Sequence, residues 1–135
     1  YDVLLRKRAP FEFDDPRSFW QLGNMGVYFN SMDFLYRTIS WTPSRTKVDK
    51  DNKIRFVMSH DDPGYHNWID TTGFTVGNLT RRNFLSDKFI DNHTRVVKRA
   101  KVDSLMPAGS AKVTKEERAK QMMERFHAIQ RRYAV

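Results

Sequence analysis

Lys53-Ile54-Arg55-Phe56-Val57-Met58-Ser59 runs without a break into His60-Asp61-Asp62-Pro63-Gly64-Tyr65-His66-Asn67-Trp68-Ile69-Asp70-Thr71-Thr72-Gly73. In the first seven residues Ile54, Phe56 and Met58 alternate with Lys53, Arg55 and Val57. Side chains of a strand point to opposite faces in turn, so this period of two predicts a strand with one apolar face. The fourteen residues after it hold two of the four histidines, three carboxylates, a Trp and a Pro-Gly turn. They read as a structured loop between two strands, and as the densest polar chemistry in the chain.

Just upstream, Asp49-Lys50-Asp51-Asn52 reads as a polar hairpin turn whose other strand is Arg45 to Val48. Phe34 to Trp41 is rich in aromatic and β-branched residues and reads as a strand ended by Thr42-Pro43-Ser44. Phe19-Trp20-Gln21-Leu22 starts a strand that Gly23 and Gly26 interrupt and Val27-Tyr28-Phe29 resumes. Tyr1 to Arg8 reads as a short strand closed by Ala9-Pro10, and Phe11 to Pro16 as a loop anchored by its two Phe rings. Beyond the central loop, Phe74 to Phe84 reads as a strand, Leu85 to His93 as a polar connector and Thr94 to Arg99 as the last strand. Val102 to Met106 has room for one helical turn before the break at Pro107-Ala108-Gly109-Ser110.

Thr114-Lys115-Glu116-Glu117 is a capping box, with side chains and backbone N–H groups paired reciprocally between Thr114 and Glu117. The helix it opens runs to about Tyr133. Ala119, Met122, Met123, Phe126, Ile129 and Tyr133 form an apolar stripe, with most of the arginines off it. The expected organisation is a mainly β domain over residues 1–106, a linker at 107–113 and a C-terminal amphipathic helix at 114–135, packed on the domain or on a partner.

The 135 residues suffice for one domain with a core, and the eighteen aromatics offset a hydrophobic share of only 39%. With no cysteine, disulfides and thiolate chemistry are excluded, and a reducing compartment fits. No apolar run approaches the roughly 18 residues that span a bilayer. The net charge of +8 is uneven: residues 1–80 balance ten basic against ten acidic side chains, whereas residues 81–135 carry fourteen against six. Such a basic C-terminal part suits a solvated helix face or an acidic partner. Nucleic acid is not expected, because aromatics and basic residues are not interleaved on any one strand.

The run His60-x-Asp62-Pro63-Gly64-x-x-Asn67-Trp68-Ile69-Asp70-Thr71-x-Gly73 resembles the signature of bacterial DUF1214-domain proteins, a domain of unknown function. Trp20-Gln21-Leu22, Ser31-x-Asp33-Phe34, Arg37, Gly77, Arg82, Thr94-Arg95-Val96-Val97 and Thr114-x-Glu116-Glu117-Arg118 resemble its flanking text. The resemblance implies a jelly-roll-like antiparallel β-sandwich, a bacterial and here cytoplasmic protein, and membership of a longer or split protein that needs a second chain or a second copy. Two places depart from the pattern: Asn83 stands where Trp is usual, and Thr42 to Arg45 replace an Asn-x-x-Gln segment.

Three readings of the loop stay open. In the first it is structural: Asp62-Pro63-Gly64 turns the chain, Asn67, Asp70 and Thr71 cap backbone groups, and Trp68 plugs the sandwich. In the second it is a catalytic or ligand site. His60 is then a general base oriented by Asp62 or Asp70, Trp20, Tyr65 and Trp68 stack on a ring with Asn67 nearby, and Arg82 holds an anionic group. In the third, His60, Asp62 and His66 hold a metal. The residues do not name a cofactor, and that question stays open with the three readings. The expected function is a subunit helping to form a pocket for an organic small molecule. The alternative is a non-catalytic interaction subunit docking through its basic helix.

Overall fold

The computed structural model describes residues 2–8, 19–85 and 92–133, the first of these segments by its backbone alone. Among the described residues, seven strands form two sheets. They are β1 (Asp2–Arg8), β2 (Phe19–Met25), β3 (Ser40–Trp41), β4 (Lys53–Ser59), β5 (Trp68–Asp70), β6 (Asn78–Phe84) and β7 (Asn92–Val97). One sheet has the order β5-β4-β1-β7 and the other β3-β2-β6. Two helices follow, α1 (Val102–Leu105) and α2 (Lys115–Tyr133).

The sheets share one core. Trp20 and Leu22 of β2 and Trp41 of β3 meet Ile54 and Phe56 of β4 and Ile69 of β5. The Phe56 ring lies edge-on to Trp20 at 6.3 Å and tilted to Trp41 at 6.1 Å. Each such buried ring contributes about 2–3 kcal/mol. The strand β4 has the bounds its alternation predicts, but both of its faces are covered. Val57 packs with Tyr65, Val97 and Val102 in a second cluster beneath α1, and Arg55 is buried while holding Asp49 and Asp51.

All pairings but one are antiparallel. The exception, β4 with β5, departs from the antiparallel expectation. Val57, Met58 and Ser59 pair in parallel with Trp68, Ile69 and Asp70. Parallel neighbours normally need a crossover of a dozen residues or more. Here the loop 60–67 must return by only two strand positions, roughly 7 Å at the rise of a strand.

Three expected strands are cut short or lost. Asp33 Oδ1 accepts from the backbone N–H groups of Leu35 and Tyr36, which coils 34–37 and leaves only Ser40–Trp41 as strand. Pro43 opens a 3-10 turn, Pro43–Arg45, so Arg45 to Val48 makes no hairpin with β4. A backbone hydrogen bond from Phe29 N to Gly26 O ends β2 at Met25 instead of letting Val27 to Phe29 resume it. The strand before Phe84 starts only at Asn78. Gly77 just before it has no room for a side chain, since a Cβ there would stand 2.7 Å from Met25 O. The loop read over Phe11 to Pro16 and most of the connector after Leu85 lie outside the described residues.

Residues 107–113, read as a linker, lie against the central loop. Tyr65 and Lys112 form an antiparallel bridge, His66 N donates to Ala111 O and Val113 N to Gly64 O. The capping box forms as read: Glu117 N donates to Thr114 Oγ1 at 3.2 Å, and Thr114 N to Glu117 Oε2 at 2.8 Å. The helix packs on its own domain, but the two side chains it buries are Arg118 and Arg125, not members of the apolar stripe. Met123 and Tyr133 of that stripe are exposed.

Candidate functional site

The fourteen-residue stretch divides into an interior whose polar side chains mostly bond within the fold and two ends that meet each other. In the interior, Asp62 caps Gly64 N, and Gly64 takes a positive φ of 76°, which suits glycine. Asn67 is buried and fastens three backbone groups: its Oδ1 accepts from Lys47 N, and its Nδ2 donates to Lys47 O and Arg55 O. Trp68 Nε1 donates to Ser59 O, and Trp41 Nε1 donates to Trp68 O. Asp70 is 2% exposed. Its carboxylate accepts from Thr72 N and from Arg37 Nη1. The Tyr65 hydroxyl donates to Asp103 at 2.6 Å. Burial first, and then the hydrogen bond to Asp103 and its charge, push the Tyr65 phenol well above its ordinary range.

Arg118 clamps this interior to α2. Its Nε and Nη2 take both oxygens of Asp62, at 2.8 and 3.1 Å. Its remaining N–H groups reach Tyr65 O at 2.5 Å, His66 O at 3.3 Å and the Gln121 side chain. The guanidinium also lies over the Trp68 ring, a cation–π contact. Beside it, His66 is half-buried against Trp41. Asn67 Oδ1 is an acceptor, so His66 Nδ1 carries the proton toward it and Nε2 accepts from Gln121. Burial lowers the His66 pKa; the Asn67 hydrogen bond opposes this, and the charges of Lys47, Arg118 and Arg45 add to it.

The loop's two ends meet at His60 and Thr71. The Thr71 hydroxyl contacts His60 Nδ1, and Thr71 N donates to Ser59 O. Both residues line a cavity of about 590 Å³ with Met32, Met58, Phe74 and Leu79 among its walls. A second cavity, of about 510 Å³, lies between the outer face of β2, β3 and β6 and the C-terminal half of α2, where Arg45, Arg82, Arg125 and Arg132 line it. Asn24 lines both.

The expected site residues therefore do not converge. His60 alone faces the first cavity, and Arg82 faces the second. Trp20 is fully buried in the core, so it has no face for a ligand to stack on. Tyr65, Asn67, Trp68 and Asp70 are buried with partners of their own, and Asp62 is taken by Arg118. Neither carboxylate orients His60; the Thr71 hydroxyl does. Nor do His60, Asp62 and His66 gather as ligands: among the described residues, no group of three His, Asp or Glu side chains stands where it can hold a metal ion. The sequence reading missed Thr71 as the partner of His60, and it missed Arg45 and Arg125. The signal for Arg125 was available, because Arg118, Met122, Arg125 and Ile129 recur at steps of four, three and four along one helix face.

No family model matches the chain, and no curated protein matches it. A crystal structure of an uncharacterized protein from Burkholderia cenocepacia is similar in fold, with a TM-score of 0.67 at 22% identity. The likeness covers 75% of this chain and 27% of that one, so the chain spans about a quarter of the length of its structural neighbour. No described helix is long and apolar enough to cross a membrane.

Proposed function

We propose that this protein is a binding module for an organic small molecule, held in the cavity at the two ends of the central loop. One observation carries the reading: His60 and Thr71 stand together at a cavity walled in part by Met32, Met58, Phe74, Val76 and Leu79, while Asp62, Asn67 and Asp70 of the loop are spent on the fold. Small-molecule sites commonly combine apolar walls with a few placed polar groups. The ligand class is an apolar body with one hydrogen-bonding end. Thr71 holds the His60 ring through Nδ1, which leaves Nε2 to meet that end. The same atom supplies a general base if the module is catalytic. The DUF1214-like reading of the signature, a jelly-roll connectivity and a role as one part of a larger bacterial assembly belong to this proposal. The likeness to about a quarter of a longer chain supports the last of these.

The six methionines give the test. Met32 and Met58 line this cavity and Met25 lines the other, so methyl NMR separates the two sites. Titration with indole or benzyl alcohol is expected to shift the Met32 and Met58 methyls and leave Met25 in place. His60→Ala is expected to weaken that binding at least fivefold with unchanged melting. Shifts confined to other methyls, or binding indifferent to His60→Ala, reject the proposal.

The alternative, a non-catalytic interaction subunit, has its own observation. Val27, Tyr28, Phe29, Phe74 and Val76 are all exposed, and Asn78 ties the 26–29 turn beside the segment that carries Phe74 and Val76. Contiguous apolar surface of this kind marks interaction sites. In this reading it meets the remaining portion of a longer protein or its separate equivalent. Native mass spectrometry showing only monomer from the source organism removes this alternative.

A further inference from the structure

The second cavity has the opposite chemistry to the first. Its floor is the outer face of β2 and β6, where Gln21 pairs with Arg82 and Gly23 with Thr80. One wall is α2, and another is the turn carrying Arg45. Four arginines line it, and among the described residues no Asp or Glu does. Arg125 is only 5% exposed. Its Nε donates to Phe34 O, Nη1 to Ser40 O and Nη2 to Ser40 Oγ, all of them neutral acceptors.

Elsewhere this fold answers a buried guanidinium with carboxylates, as Asp49 and Asp51 do for Arg55 and Asp62 does for Arg118. A buried charge without such a partner is costly. Burial and then the charge of Arg45 push the Arg125 pKa down to about 10, opposed by Asp33. Burial also lowers that of Arg45, opposed by Glu124. Both opposing carboxylates lie off the cavity lining. Arg45 spends one bond, on Gln121 O at 3.4 Å, which leaves most of its fork for a ligand. Met25, Phe34 and Ile129 supply apolar surface in the same cavity.

We propose that this cleft binds a small organic anion, its carboxylate or phosphate group held between Arg45 and Arg125 and its apolar body set against Met25, Phe34 and Ile129. Guanidinium forks match the paired oxygens of either group, and about 510 Å³ lies within the usual size of such sites. The apolar wall favours an aryl or alkyl anion over the bare ion. The proposal stands apart from the His60 cavity, because the ligand class and the reporting methyl both differ.

The test is calorimetry at low ionic strength with phenyl phosphate, benzoate, inorganic phosphate and phenol, alongside methyl NMR. At least one of the two aryl anions is expected to bind more tightly than inorganic phosphate and to shift Met25 but not Met32 or Met58; phenol is expected to leave Met25 unmoved. Arg45→Met is expected to weaken binding at least tenfold. Lys120→Met makes the same charge change on the exposed side of α2 and is expected to leave binding within twofold. Should Arg45→Met fail to fold, Arg82→Met at the exposed rim replaces it, with a loss of about threefold expected. The proposal is overturned if neither aryl anion binds at millimolar concentration, if Lys120→Met weakens binding as much as the cleft variant, or if the shifts fall on Met32 and Met58.

Discussion

Arg118 and Arg125 stand seven residues apart on one face of α2, and both are buried. Arg118 meets a carboxylate, three further oxygen acceptors and an aromatic face. Arg125 meets only backbone and hydroxyl oxygens, with the charge of Arg45 close enough to lower its pKa. The same residue on the same helix thus serves two ends. One closes a contact within the fold, and the other leaves charge facing a cavity. Burial alone does not separate a structural arginine from a binding one; the partner list does.

Replacing each by Met tests this contrast most directly. Arg118→Met strands the carbonyl of Tyr65, takes one donor from that of His66, which keeps the Trp68 N–H, and removes the clamp on the loop. It is expected to cost about 3 kcal/mol of stability, the scale for breaking a buried pair. Asp62 limits that figure, since its side chain is 37% exposed and water can take over one of the lost partners. Arg125→Met loses three hydrogen bonds but also removes a poorly compensated charge, so about 1 kcal/mol is expected. Urea unfolding of both variants under one condition decides the matter. Equal costs, or a reversed order, would show that Arg125 is as much a fastening as Arg118.

Ser40→Asp asks the converse question with a smaller effect. It puts a carboxylate where Arg125 Nη2 now meets a hydroxyl, making the second arginine resemble the first. Charge-assisted bonds are about twice as strong as neutral ones, so a gain of about 1 kcal/mol is expected. Binding of aryl anions should fall as the new carboxylate takes their place. A stabilised variant that still binds phenyl phosphate as before would place the anion elsewhere.

How much of this could be read from the chain follows from what each signal measures. The strand that the β4 pattern predicts and the capping box at Thr114 are local, and the structure has both, although β4 is buried on both faces and not on one. Phe34 to Trp41 has strand-like composition, but composition does not register that Asp33 captures two backbone N–H groups and bends the chain. The parallel placement of β5 depends on how far eight loop residues reach, which no period encodes. For the loop itself, residue types were informative and roles were not. Asn67 and Asp70 have the chemistry of a site, but tertiary packing turned their donors and acceptors inward. His60 meets neither Asp62 nor Asp70 but Thr71, eleven residues on, at one of its ring nitrogens. The arginine cleft draws on several separate segments, so its lining is a fact of topology and not of sequence distance.

His66 gives the smallest and most discriminating effect, because the fields of both arginine regions reach it. Its pKa is lowered from 6.5, first by burial, with Lys47, Arg118 and Arg45 contributing. The sign follows from the unfolded chain taking up the proton first as pH falls. His66 therefore contributes its full stability above about pH 6.5, and this is lost as pH falls toward the folded-state value, where protonation also breaks the bond to Gln121 Nε2. Unfolding free energy should decline over that interval, above the range near pH 4 where carboxylates begin to titrate. His66→Gln should flatten the decline. An NMR titration of the His66 ring then isolates the charges. Arg45→Met removes one of the three named cations and is expected to raise the His66 pKa without touching its hydrogen bonds to Asn67 and Gln121. If the ring titrates unchanged in that variant, the Arg45 charge is screened before it reaches His66.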